Sequence, residues 1–351
     1  MKTVKDLDCK DKNILVRVDY NVTLKDGEVA SDLRIRASLP TINYLLEHGA
    51  KKIILISHLG RPEGKENPNY SLAPVKKVLE RLLPGQSVDF HTLPKSGEKI
   101  TSKSRILLLE NLRFDPKEEE NSSDFIKNII EATNAEIFVQ DGFAVIHRAH
   151  ASTDAIKNIL PTVAGLLLEK EIANLEKVLK SPTHPVVLLI GGSKVEDKQP
   201  LIDKFLKIAD HILVGGKIAA DGYESTNEKI LVASDFDEDG EGNKLDIGPI
   251  STSEFAKILE NAKTIIWNGV MGKVEDPAYA TASAILADVI GRNQAATTIV
   301  CGGDTTGFVE NHLESHPNLK YTLISTGGGA ALEFLLGKSL PGLPAIKYAE
   351  F

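Results

Sequence analysis

Nine short aliphatic runs dominate this chain of 351 residues: NILVRV, KIILIS, RILLL, EIFV, PVVLLI, HILV, TIIW, TTIV and YTLIS. A strand with one wet face alternates apolar and polar residues. Runs that are apolar on both faces are those of buried parallel strands. Helical patterns such as LPTINYLLEHG, PLIDKFLKIAD, SEFAKILENA and AILADVI separate them. Strand–helix alternation means βαβ units and a parallel sheet. Nine such strands allow one large sheet, a barrel or two doubly wound domains, and the length favours two domains. Residues 163–180 read as one amphipathic helix, with Pro182 and Pro185 marking its end. A helix joining two domains is a reasonable hinge element.

The remaining composition mainly excludes. A formal net charge of -8 argues against a general role on nucleic acid or at a membrane surface, though it leaves room for a local basic cleft. The first residues, MKTVKDLDCKDK, lack the apolar core of a signal peptide, and no apolar run approaches spanning length. Cys9 and Cys301 lie far apart and suggest neither a disulfide framework nor a zinc site. A reduced, cytoplasmic protein is the expectation. The acidic stretch DFDEDGEGN, residues 235–243, reads as an exposed loop.

The residues that follow the strands carry the unusual chemistry. HLGRP follows KIILIS, ENLRF follows RILLL, QDGFAVIHRAHAST follows EIFV, and GGSKVEDK follows PVVLLI. GGK, NGVMG, CGGDTT and TGGG follow HILV, TIIW, TTIV and YTLIS. Ligands of open α/β sheets bind beyond the carboxyl ends of the strands. The first half offers Arg34, His58, Arg61, Arg113, His147 and Arg148 there. The second half offers paired glycines with Lys194, Lys198 and Asp304. Guanidinium forks match carboxylate and phosphate. Glycine turns with lysines and one aspartate suit a nucleotide with a divalent metal. One small anionic substrate and one nucleotide, held by separate domains, is the expected division.

Taken together in order, the motifs VRVDYNVTLKDG, DLRIRASLPTI, SHLGRP, YSLAPV, LLLENLRF, HRAHAST, GGSKVEDK, LDIGP, WNGVMG, GGDTT and ISTGGGAALE resemble those of the phosphoglycerate kinase family over almost the whole chain. The resemblance implies two Rossmann-like, doubly wound parallel-sheet domains joined by a hinge helix. It places the 3-phosphoglycerate domain at 1–160, the joining helix at 161–182 and the nucleotide domain at 183–339, with the tail 340–351 packing back on the first domain. It implies phosphoryl transfer between 1,3-bisphosphoglycerate with ADP and 3-phosphoglycerate with ATP, with Mg²⁺ as cofactor, in a monomer that closes by hinge bending. Arg34 is implied to point at the phosphoryl group in flight, against the plain alternative of a surface arginine at a helix start. Asp19, Asn21, His58, Arg61, Arg113 and Arg148 are implied as the 3-phosphoglycerate site, against strand-end Asx turns and ordinary salt bridges. Arg36 is expected to be a supporting charge. No general base is required, because the acceptor carboxylate is already ionised at neutral pH.

On the nucleotide side, Lys194 and Lys198 stand four apart at an expected helix start, a spacing that puts both amines on one face. The resemblance assigns them to phosphate oxygens and to developing charge. It implies Asp304 as the magnesium contact, Thr305 as a hydrogen bond to phosphate, and Asn268 and Glu275 as nucleotide and ribose contacts. Gly192, Gly216, Gly302 and Gly303 complete the nucleotide set. Gly327, Gly328 and Gly329 are expected to offer backbone N–H groups to the phosphoryl group, aided by the dipole of the next helix. The GKS at 337–339 is no Walker A motif, since Leu332 occupies the position where its first glycine belongs.

Four departures from the family pattern stand out. The usual NDAFGTAHRAHAS reads QDGFAVIHRAHAS, with Gln140, Ala144, Val145 and Ile146 altered. Lys217 replaces the third glycine of a triplet. The segment between Ala219 and Leu245 is much shorter than usual. Val270 and Cys301 replace a proline and a glycine. The second and third fall on the base-binding side and lead us to expect an unusual nucleotide preference or weaker adenine binding. A non-catalytic relative that keeps the acceptor site is the alternative to an active kinase. A dinucleotide enzyme lacks support, because no GxGxxG opens a helix after a first strand.

Overall fold

The computed structural model describes residues 1–343. The chain divides into two compact units, Met1–Lys170 with the described residues from Ser339 on, and Glu171–Lys338. The part of the expected tail beyond residue 343 lies outside the described residues.

The first unit contains β1 (Asn13–Arg17), β2 (Leu24–Lys25), β3 (Glu28–Val29), α1 (Leu33–Glu47), β4 (Lys52–Ile56), α2 (Ala73–Leu82), β5 (Val88–His91) and β6 (Ile106–Leu109). It continues through α3 (Ser123–Thr133), β7 (Ile137–Gln140) and β8 (Thr162–Ala164) into α4 (Leu166–Lys180), inside which the division between the units falls. Six strands form a parallel sheet in the order β5-β6-β4-β1-β7-β8, and β2 and β3 make a small antiparallel hairpin. The period of two sends alternate residues to opposite faces. Ile14 and Val16 of β1 join a core with Ile35, Ile42, Leu45 and Val75 from α1 and α2. Leu15 joins another core with Phe125, Ile126 and Ile129 of α3. Both faces are thus dry, which is why the run shows no polar alternation.

The second unit contains β9 (Val186–Ile190), α5 (Val195–Phe205), β10 (His211–Val214), α6 (Gly216–Ala220), β11 (Ile230–Val232), β12 (Phe236–Glu238), β13 (Lys244–Ile247) and α7 (Pro249–Asn261). It ends with β14 (Thr264–Asn268), α8 (Thr281–Arg292), β15 (Thr297–Cys301), α9 (Gly303–Ser315), β16 (Leu323–Ile324) and α10 (Gly329–Leu335). Its six-stranded parallel sheet runs β11-β10-β9-β14-β15-β16. The chain leaves β9 in one direction and later returns to β14 to go the other way. Connections that diverge like this open a crevice at the carboxyl ends of the two central strands, where ligands of such sheets bind.

The fold is the expected α/β class, with two doubly wound parallel sheets. All nine aliphatic runs are strands of these sheets. Three edge strands, β5, β8 and β11, escaped the sequence reading because VDFH, TVA and ILV are short and border half-buried positions. The helix expected from residue 163 begins instead at Leu166, since Thr162–Ala164 pairs with β7. The stretch 235–243 is not a plain loop. Phe236–Glu238 pairs with β13, and Asp239 closes the turn by accepting from the Glu241 and Asn243 N–H groups, each at 2.9 Å.

Leu188 lies fully buried at the middle of β9, in the centre of its sheet. Leu188→Ala is expected to destabilise the second unit by about 2–5 kcal/mol, transfer and cavity terms together. A urea unfolding midpoint unchanged from the parent would contradict the packing described.

Candidate active site

In the first unit, the carboxyl ends of β1, β4, β6 and β7 converge on a cluster of cations. Arg17, the last residue of β1, is buried; its Nη2 lies 3.2 Å from His58 Nδ1 and its Nη1 3.3 Å from the Ile56 carbonyl. A guanidinium has no acceptor, so His58 Nδ1 must accept, and the His58 proton sits on Nε2. Burial first, then Arg17, Arg113 and Arg148, hold the His58 pKa well below the usual histidine value. His150 is pushed down to about 4 by burial and by Arg113, Arg17, Arg148 and His147. Both imidazoles are therefore neutral near pH 7, and the positive charge of the cluster belongs to the arginines.

Arg113 is buried just after β6, and burial lowers its pKa to about 10. Its Nη1 donates to the Gly60 carbonyl at 2.8 Å and its Nε lies 3.0 Å from Glu119 Oε1. That Nε contact is an ion pair without hydrogen-bond alignment, and Nη2 has no partner among the described residues. Buried guanidinium nitrogens without acceptors are costly, and a carboxylate or phosphate oxygen is the group that would satisfy them. Asn111 positions this arginine: its Oδ1 accepts from the Arg113 N–H at 3.0 Å, while its Nδ2 donates to the Leu59 and Tyr70 carbonyls. Arg148 donates from Nε to His147 Nε2 at 3.2 Å, and its carbonyl accepts from Thr153 Oγ1.

Asp19 is buried just beyond β1, and its Oδ2 accepts from Arg34 Nη1. Its Oδ1 accepts from the Asn21 N–H at 3.1 Å, and Asn21 Oδ1 in turn accepts from the Gly60 N–H at 2.9 Å. Asp19 and Asn21 thus tie Arg34 and the loop after β4 to the end of β1. Arg34 is partly exposed and Arg61 exposed, whereas Arg36 turns away to hold Asp32 at 2.7 and 3.0 Å. Beneath the cluster, Glu118 is fully buried and accepts from Ser152 Oγ at 2.6 Å and the Ser152 N–H at 3.1 Å. The sequence reading missed Arg17, Asn111 and Glu118. Arg17 sits inside an aliphatic strand and so read as part of the core. The altered loop keeps its own support: Gln140 Oε1 accepts from the Gly142 N–H at 3.2 Å, and the Ile146 carbonyl accepts from the Gly342 N–H at 2.7 Å.

In the second unit, glycine loops after β9, β10 and β14 lie backbone against backbone at the topological switch. A Cβ on Gly269, whose φ is +109°, would stand 2.1 Å from the Gly191 carbonyl oxygen. One on Gly216, φ +63°, would stand 2.7 Å from the Gly192 nitrogen. Only glycine fits either place. These loops line a cavity of about 280 Å³ that also takes in Ser193, Lys217, Phe236, Lys244, Val270, Glu275 and Asp304. A larger open groove of about 920 Å³, lined by residues such as Tyr223, Thr226 and Ile230, touches none of Lys194, Lys198 or Asp304. The smaller cavity, whose wall includes Asp304 and the glycine loops but neither Lys194 nor Lys198, is the candidate site.

Asp304 is exposed in the first turn of α9 and makes no hydrogen bond or ion pair among the described residues. Lys198 donates to Asn268 Oδ1, and burial lowers its pKa. Asn268 is itself buried and donates from Nδ2 to the Cys301 carbonyl at 3.1 Å. Both ends of its amide are thus engaged within the protein. Thr305 is also buried, and its Oγ1 accepts from the Gly269 N–H at 2.7 Å, which ties the glycine loop to α9 and leaves its hydroxyl proton to donate. Gly302, φ +98°, turns the chain into α9, and Gly303 is exposed at its start.

Two further expectations need correction. Lys194 is the extended N-cap of α5, not a residue of its first turn, so it does not share a helical face with Lys198. Gly327 does not offer its N–H, which donates to Ser325 Oγ at 3.1 Å, while Gly328, φ +47°, turns the chain so that α10 begins at Gly329. Lys217 Nζ pairs with Asp221 Oδ1 at 2.7 Å, and the residue forms part of the cavity wall. Lys244 Nζ stands 4.5 Å over the Phe236 ring in the short hairpin that closes the same cavity.

The family model described as phosphoglycerate kinase matches residues 4–239 and 220–338. A protein named phosphoglycerate kinase from Moorella thermoacetica is 40% identical over 393 aligned positions covering 98% of both chains. One of the same name from Roseiflexus sp. is 38% identical over 399, covering 99% of both. Among solved structures, phosphoglycerate kinase from Coxiella burnetii matches with TM-score 0.80 at 32% identity, and that from Pyrococcus horikoshii with TM-score 0.84 at 28%, each over 97% of both chains. Alignments of 393 and 399 positions against 351 residues mean that these relatives carry segments this chain lacks. The two family matches overlap at 220–239, the stretch that read as shortened.

Two outcomes follow from the site geometry. The His150 imidazole titrates near 6.5 when unfolded and near 4 when folded. Between those values only the unfolded chain binds the proton, so the stability from the neutral ring is whole above about 6.5 and falls as pH drops toward 4. Compared with His150→Gln, the parent is expected to lose up to about 2 kcal/mol more between pH 7 and 5 in urea unfolding. Parallel pH slopes for the two proteins would contradict this. Gly269→Ala is expected to abolish nucleotide binding or folding of the second unit, and a folded variant with parental nucleotide affinity would refute the close approach.

Proposed function

The chain belongs to the phosphoglycerate kinase family, and we propose how its residues carry that family's reaction. It is a phosphotransferase that moves a phosphoryl group between 1,3-bisphosphoglycerate and ADP, with 3-phosphoglycerate and ATP as the partner pair. The observation that carries this reading is a family match running through both units, joined to two anion-directed sites of different chemistry, one on each unit.

In the proposed assignment, Arg113, Arg148, Arg61 and His58 receive the acidic three-carbon substrate, with Asp19 and Asn21 positioning Arg34 and the loop after β4. The unpartnered Nη2 of Arg113 supports this, since a bound carboxylate or phosphate would supply its acceptor. Arg34 meets charge on the transferring group. Phosphoryl transfer needs little covalent help from the protein, and positioning with electrostatic stabilisation carries most of the rate. Lys194 and Lys198 meet phosphate oxygens of the nucleotide, Asn268 keeping Lys198 in place. The N–H groups of Gly328 and Gly329 serve the same group, without Gly327.

The residues present fit a magnesium ion. Asp304 is an exposed, uncommitted carboxylate on the cavity wall, whereas the buried carboxylate of Asp246 is already engaged by the Ile247 and Ala282 N–H groups. Mg²⁺ at nucleotides commonly takes one or two carboxylates together with phosphate oxygens and water. It would supply charge neutralisation on the phosphates. The proposal extends to a cytoplasmic monomer in which α4, the connection between the units, serves as a hinge element. It also extends to a nucleotide preference altered by Lys217 and the short hairpin, with Phe236 and Lys244 replacing the missing wall.

A coupled assay of transfer from MgATP to 3-phosphoglycerate tests the assignment. Turnover is expected in the parent, with losses on the order of 10³ in kcat for Arg34→Ala and a comparable fall for Asp304→Ala that rises in part with excess Mg²⁺. The ratio of KM values for ATP and GTP is expected to lie closer to one than strict adenine selectivity would give. A folded parent that binds 3-phosphoglycerate yet turns over neither nucleotide would instead establish the non-catalytic alternative.

A further inference from the structure

On the part of the second unit that the kinase reading leaves unused, α8 and α9 bring together Asp288, His312 and His316. One ligand atom from each of the three lies within 4.8 Å of the others. His312 and His316 are four apart on α9, the spacing that sets two imidazoles over one another on a helical face. Their rings are stacked with centroids 4.1 Å apart. His312 Nε2 is 2.8 Å from Asp288 Oδ1.

We propose that Asp288, His312 and His316 form a binding site for a divalent transition metal of the zinc type.

Three physical features favour this over a simple histidine–carboxylate pair. First, the ligand set is complete for an open site. Two imidazoles and one carboxylate leave a fourth tetrahedral position for water, and nitrogen with oxygen donors suits Zn²⁺ far better than Mg²⁺. Second, the outer contacts already orient the donors. His316 Nδ1 lies 3.0 Å from the His312 carbonyl, which leaves Nε2 for a metal, and Arg292 Nη2 holds Asp288 Oδ2 at 2.5 Å, which leaves Oδ1 facing His312. A backbone carbonyl on the second ring nitrogen is the usual support of a metal-bound histidine. Third, the site is at the C-terminal end of α9, with His316 as the C-cap. The unpaired carbonyls and negative dipole end there favour a cation.

The required movement is small. Donors about 2.0–2.1 Å from Zn²⁺ in a tetrahedron stand roughly 3.4 Å apart, so the widest pair closes by at most about 1.4 Å and the 2.8 Å His312–Asp288 pair opens by about 0.6 Å. His316 is exposed, so its ring can shift without displacing the core. The metal would take the place of the proton between His312 Nε2 and Asp288 Oδ1, with the neutral His312 ring carrying its proton on Nδ1. Among the described residues, the exposed Arg292 is the one opposing charge in contact with the carboxylate. The site is separate from the nucleotide cavity: His312 lies eight residues along α9 from Asp304, about 12 Å at helical rise.

The test is a titration of the nucleotide-free full chain with Zn²⁺ against a chromophoric chelator, repeated with Co²⁺ to read its d–d absorption. The parent is expected to show one saturable site and the intense visible bands of four-coordinate Co²⁺. His316→Ala and Asp288→Asn are expected to weaken Zn²⁺ by at least tenfold and to lose those bands. Zn²⁺ should raise the melting temperature of the parent and not that of His316→Ala. Because His316 is exposed, its alanine variant should fold, so a loss there reports the site and not collapse. Equal Zn²⁺ affinity in parent and variants, or no saturable binding by the parent, would overturn the proposal.

Discussion

Parallel pairing of β1 with β4 and β7, and of β9 with β10 and β14, is the interaction on which both sites depend. It sends every central strand of a sheet to the same edge. The loops that leave that edge are consequently neighbours although they are far apart in sequence. In the second unit this neighbourhood is so close that Gly269 meets Gly191, and Gly216 meets Gly192, without room for a Cβ. The glycine loops and Asp304 then line a common cavity. In the first unit the same edge gathers Arg17, His58, Arg113 and Arg148 within reach of one another's charge.

The two sites solve the binding of anions differently. The first places guanidinium groups in the protein and accepts a strong desolvation cost, visible in the depressed pKa of Arg113 and of both histidines. Partners removed from a buried charge are expensive, so a cluster with an unfilled Nη2 is poised for an acidic ligand. The second keeps Lys194 and Asp304 exposed and relies on close backbone, which suits a larger, more solvated polyphosphate. In the proposed assignment the guanidinium forks take the small substrate and the glycine loops the nucleotide.

Much of this was legible in the sequence, for identifiable reasons. A fully buried parallel strand has a simple signature, and VVLLI or ILLL could hardly be anything else. The residues just after such strands were the candidate site, so Arg113, Asp304 and the glycines fell out directly. What escaped depends on tertiary contacts. Arg17 is hidden within the pattern of β1, and only the structure reveals that its side chain fixes the tautomer of His58. Asn268 and Thr305 enter the site list through the family resemblance, and only the structure shows that they also hold Lys198 and the Gly269 loop. The N-cap position of Lys194 likewise follows from where α5 begins, a boundary that spacing alone does not fix. Nor does the sequence show that Lys217 pairs with Asp221, one helical turn on.

The central claim is that the two anion sites are built separately, the first by arginines and the second by glycine loops. Isothermal titration of 3-phosphoglycerate and of MgADP into Arg113→Ala tests it most directly. The account predicts that 3-phosphoglycerate binding weakens by at least about tenfold, the loss of a charge-assisted hydrogen bond, while MgADP affinity stays at the parental value. Undiminished binding of 3-phosphoglycerate by the folded variant would contradict the claim.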